Sequence, residues 1–74
     1  MAAKRPLDVL HTALNKPVVV ALRGGRQYRG VLDGYDHPHL NLVLKNAEEI
    51  VDGATARKHD HVVVRGDSII YVTP

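Results

Sequence analysis

Apolar residues recur at two different spacings along the 74-residue chain, and the change of spacing marks the first element boundary. Leu7, Leu10 and Leu14 fall at i, i+3 and i+7, the stripe of a short amphipathic helix. Pro6 lies in its first turn, where the missing N–H costs nothing, and Asp8 is placed to favour the helix dipole. Asn15-Lys16-Pro17 ends the pattern, so the helical segment is 5–15, behind a loose tail over 1–4. A helix this short does not persist alone in water, and its leucines must dock on another element. From Pro17 onward the pattern is that of strands. Val18–Leu22 is a run rich in branched residues, closed by the turn Arg23-Gly24-Gly25-Arg26. A second strand follows over about Gln27–Tyr35, with Gly30 and Gly34 where a bent strand needs them. Pro38 makes Asp36-His37-Pro38-His39 a turn, after which Leu40, Leu42 and Leu44 alternate in a third strand reaching Ala47. A turn holding Asp52-Gly53 is expected over 48–57. Val62–Val64 and Ile69–Val72, separated by the turn Arg65-Gly66-Asp67-Ser68, are the fourth and fifth strands.

The order of elements predicts a mostly β domain: a short N-terminal α-helix on a five-stranded, strongly bent antiparallel sheet, a partly open small barrel. The length allows one domain, and a chain this short buries only about 60% of the surface its unfolded form exposes. It contains no cysteine, so disulfides are excluded as the remedy. The last two strands are apolar and carry no proline before Pro74 to blunt them, which invites another copy to pair at the edge. Such a head-to-tail contact closes into a ring when the rotation permits. Marginal core and open edges thus have a common solution, a homo-oligomer; the alternative is a monomeric barrel with protected edges.

Composition narrows the partners. The longest apolar run, the five residues Val18–Leu22, is far short of the roughly 20 that cross a bilayer, so no membrane is expected and the location is read as cytoplasmic. Ten Lys and Arg against eight Asp and Glu leave +2, too small an excess to identify a nucleic-acid binder by itself. Multiplied around an oligomer, it matters more.

Candidate chemistry is mostly exclusion at first. No thiol, no GxxxxGK[ST] phosphate loop and no GxGxxG are present, and the single serine, Ser68, has no base assigned to it beyond its neighbour Asp67. Neither an enzyme nor a cofactor is therefore expected. His37-x-His39 and His59-x-His61 each place two imidazoles on the same side of an extended segment, a spacing suited to Zn or Cu, and Asp36 or Asp60 could add a ligand. Nothing in the sequence joins the two pairs, so no metal site is assigned. His39 and Asn41 are more informative: an imidazole offers a flat face for a base, and a side-chain amide offers both a donor and an acceptor to its edge. Arg65 adds a planar cation for the opposite face, and Asp67 can accept from a base N–H or orient Arg65.

These residues resemble the Sm and Sm-like (Lsm) family, most closely its archaeal members. Arg5-Pro6-Leu7-Asp8-Val9-Leu10 looks like the family's N-terminal helix. Residues 17–47, with Gly24-Gly25, Tyr28-Arg29-Gly30, Leu32-Asp33-Gly34-Tyr35-Asp36 and His39-Leu40-Asn41-Leu42-Val43-Leu44, look like the first Sm motif. After a variable linker over 48–57, residues 58–73 carry Val64-Arg65-Gly66-Asp67-Ser68-Ile69, which resembles the second. The resemblance implies a ring of usually seven copies joined through strands four and five. It also implies binding of single-stranded, uridine-rich RNA around the central pore, one nucleotide per subunit, as a scaffold in RNA processing or stability. By the family's motifs the pocket is His39, Asn41, Arg65, Gly66 and Asp67, with Asp36 shaping the loop and a second RNA surface on the helix side at Arg5 or Tyr35. One departure is visible: His37 and Pro38 both stand between Asp36 and His39, where the family commonly has one residue. The alternatives are a ring subunit that serves protein contacts, with RNA incidental, and a metal-binding protein using the His pairs.

Overall fold

The computed structural model describes residues 5–73, so the tail expected over 1–4 lies outside the described residues. Helix α1 runs Pro6–Thr12, its first turn closed by the Asp8 amide donating to the Arg5 carbonyl at 3.0 Å and by an Arg5–Asp8 ion pair at 3.0 Å. It is shorter than the expected 5–15. Asn15 takes a left-handed conformation, φ 65°, which turns the chain out of the helix and lets its amide donate to the Leu32 carbonyl at 2.7 Å. Leu10 and Leu14 nevertheless dock on the core as their spacing requires, beside buried Ala13.

Five strands follow: β1 (Pro17–Leu22), β2 (Arg26–Tyr35), β3 (Leu42–Val51), β4 (Ala54–Val64) and β5 (Ile69–Thr73), the last two joined through a 3-10 turn at Gly66–Ser68. They form one antiparallel sheet in the order β4-β3-β2-β1-β5. Val18, Val20, Leu22, Leu32, Leu42, Leu44, Ala47 and Val64 are buried together on its inner face. Closure around so small a core needs a sharp bend, and Gly30 supplies it. A Cβ there would lie 3.1 Å from both the Ala47 Cα and the Lys45 carbonyl oxygen, and the β2–β3 register shifts at that point.

The expected turn over 48–57 narrows to Asp52-Gly53. With φ of 51° and 81° these two residues make the tight turn whose twist matches its flanking strands, so β3 runs on to Val51 and β4 begins at Ala54. The polar residues that look like loop in sequence pair instead across strands: Glu48 with Lys58, and buried Glu49 with Arg26 at 3.3 Å. The third strand also begins two residues later than Leu40, which is left-handed with φ 56° and belongs to the preceding loop. Strands β4 and β5 are the two edges of the sheet, and they expose Val63, Ile70 and Tyr71. No helix among the described residues is long and apolar enough to cross a membrane.

Candidate nucleic-acid interface

Two loops at one end of the sheet carry the candidate residues: 36–41 between β2 and β3, and 65–68 between β4 and β5. The first is closed by reciprocal bonds. The Asp36 amide donates to the Asn41 carbonyl at 3.0 Å, the Asn41 amide donates back to Asp36 Oδ1 at 3.0 Å, and Asn41 Nδ2 donates to Asp36 Oδ2 at 2.9 Å. The second loop is tied to the first by the Gly66 amide, which donates to Asn41 Oδ1 at 2.9 Å. Gly66 must be glycine for steric reasons, since a Cβ would collide with the His39 carbonyl oxygen. Asn41 therefore bridges both loops. Its amide has one possible orientation, because the carboxylate needs a donor and the backbone N–H an acceptor. One Nδ2 hydrogen and one Oδ1 lone pair remain free to meet a ligand.

Asp36 is held below the ordinary carboxyl value of 3.8 first by the Asn41 backbone N–H and then by its side-chain amide, with the nearby His39 and His37 adding to the effect against slight desolvation. Arg65 Nη2 donates to Asp67 Oδ2 at 2.9 Å, which fixes the guanidinium over its own loop. His39, Asn41, Val63, Arg65 and Asp67 line a cavity of about 310 Å³. All four polar candidates that sequence placed on a base converge there; Gly66 and Asp36 stand behind the wall as supports. Val63 is the member that sequence reasoning missed. Within the run Val62–Val64, only the alternation of the strand, with Val64 buried and Val63 68% exposed, tells which side chain faces out.

The additional loop residue does not displace His39. His37 and Pro38 line a separate groove with Arg5, Pro6, Asp8 and Leu40. Of the second-surface candidates, Arg5 is paired with Asp8, and Tyr35 packs against the core. The second histidine pair does not act as a unit either. His59 rests against the Tyr28 ring at 6.4 Å, whereas His61 lies beside Asp33 at 3.9 Å. No group of three or more metal-ligating side chains occurs among the described residues.

Comparison with known proteins agrees with this fold. A family model described as the LSM domain matches residues 8–74. A curated relative from Methanosarcina acetivorans, named as an snRNP Sm-like protein, is 56% identical over 72 residues, covering 97% of this chain and 99% of its own. The solved Sm protein of Pyrococcus abyssii, in complex with a uridine heptamer, superposes with a TM-score of 0.92 at 46% identity over 96% of this chain and 99% of that one. The SmAP1 heptamer of P. aerophilum gives 0.88 at 36% identity, covering 99% and 96%.

Proposed function

The chain belongs to the Sm-like family defined by the LSM domain, alongside its archaeal members, and from that premise we propose that it binds single-stranded, uridine-rich RNA as a homoheptameric ring. The observation that carries this reading is the locked amide of Asn41. Its free N–H and free lone pair match the adjacent O4 acceptor and N3–H donor of uracil. Cytosine presents the reverse pair, and the amide can meet it only by turning over, which breaks the bonds to Asp36 and Gly66 together. His39 and Arg65 supply the two stacking faces. In this reading each subunit holds one nucleotide, and the protein is a non-catalytic scaffold for RNA processing or stability in the cytoplasm.

A single stacked base contributes about 1–3 kcal/mol, so affinity comes from linked pockets acting at high effective concentration. Titration with oligouridine tests the reading. Asn41→Ala should weaken binding more than about tenfold, the equivalent of about 1.4 kcal/mol, whereas Lys58→Ala on the far half of β4 should change it little. Equal losses from both substitutions, or equal affinity for oligoadenylate, would favour a ring whose surface serves protein contacts.

A further inference from the structure

The cavity wall formed by Val63 is also the start of a continuous face. Val63 pairs across the sheet with Val43 of β3, and two residues further along both strands His61 pairs with Lys45. Strand alternation puts these two pairs on the same side of the sheet, about 7 Å apart. Lys45 Nζ and His61 Nε2 both approach Asp33 of β2, at 3.8 and 3.9 Å, and the three side chains remain 36%, 65% and 39% exposed. Close charge-assisted bonds run at about 2.7–2.9 Å, so Asp33 is a loose counter-ion shared between two donors and can be displaced by a better one.

We propose that Lys45, with the His61 ring N–H beside it, receives the phosphodiester of the nucleotide next to the one held in the pocket. Val63 and Val43 carry the intervening ribose, and Asp33 neutralises Lys45 when no RNA is bound. The inference rests on the RNA reading above and extends the site from a base pocket to a short track along the outer face of β3 and β4.

The track predicts substitutions of opposite sign. With a uridine oligomer as probe, Lys45→Gln should weaken binding about fivefold for each phosphate it leaves without a cation at 0.1 M salt, and lower the salt slope by about 0.7 for each such phosphate. Asp33→Asn should tighten binding, because it removes the competitor for the same cation. Lys45→Arg should retain binding, which separates a missing charge from a damaged strand. Arg65→Ala is the reference for the pocket. If it abolishes binding while Lys45→Gln and Asp33→Asn change neither affinity nor slope, the track is overturned and the pocket stands. If Arg65→Ala itself leaves affinity unchanged, the pocket reading fails and the track with it.

Discussion

Asn41 makes four hydrogen bonds to two residues, Asp36 and Gly66, with one side chain and its own backbone, and the structure of the pocket depends on that economy. The pH dependence follows from Asp36. Its carboxyl is lowered in the folded state, so the folded chain favours the ionised form more than the unfolded chain does. The resulting stability is fully present above the ordinary value of 3.8 and is lost as pH falls below it toward the lowered one. Oligouridine affinity and melting temperature should therefore fall together on acidification below about pH 4. Asp36→Asn should lower both at neutral pH and flatten the decline, as followed by fluorescence titration and calorimetry. Gly66→Ala is expected to cost about 1–3 kcal/mol, read as a lower melting temperature, because the added methyl must push the His39 carbonyl away. The residue types of the pocket were legible in the sequence, since planar, amide and cationic side chains suit a nucleobase whatever the fold. The lock was not legible: it joins Asn41 to an amide 25 positions away, and no local pattern encodes that distance.

At the scale of elements, sequence periodicity identified the helix and all five strands in order, because their apolar positions face a core. It misjudged the far halves of β3 and β4. There the hydrophobic signal gives way to Glu48, Glu49, Arg57 and Lys58, whose charges are matched across strands instead of along them. A single chain segment rich in charge and small residues reads as a loop until its partner strand is known. The turn that joins these halves was visible as Asp52-Gly53, and its conformation makes a clear prediction. Gly53 has φ 81° and no neighbour within 4 Å of a Cβ, so Gly53→Ala costs backbone strain alone, about 1–2 kcal/mol. Chemical denaturation should show that loss with no change in the native circular dichroism spectrum. Gly30 differs in kind: there a side chain would meet Ala47 and the Lys45 carbonyl across the bend.

The whole molecule is a sheet whose order leaves β4 and β5 unpaired on their outer sides, with Ile70 and Tyr71 exposed on the β5 edge. These are unlike edges, so joining β5 of one copy to β4 of the next gives a head-to-tail seam that repeats until the ring closes. In the proposed ring, closure would cover both edges in every subunit, relieving a core too small to be comfortable alone. It also sets the pockets in register, and their avidity depends on that arrangement, since about 1–3 kcal/mol per base falls short even of the 4.1 kcal/mol that corresponds to millimolar binding. Assembly and RNA affinity should therefore fail together when only the seam is damaged. Ile70→Lys places a charge on the β5 edge without touching His39, Asn41, Arg65 or Asp67. Native mass spectrometry should show the ring reduced to smaller species, while circular dichroism retains the β spectrum and oligouridine affinity drops by orders of magnitude. Retention of the full ring mass would show that β5 is not the seam, and retention of affinity by the dissociated chain would show that the pockets do not need one another.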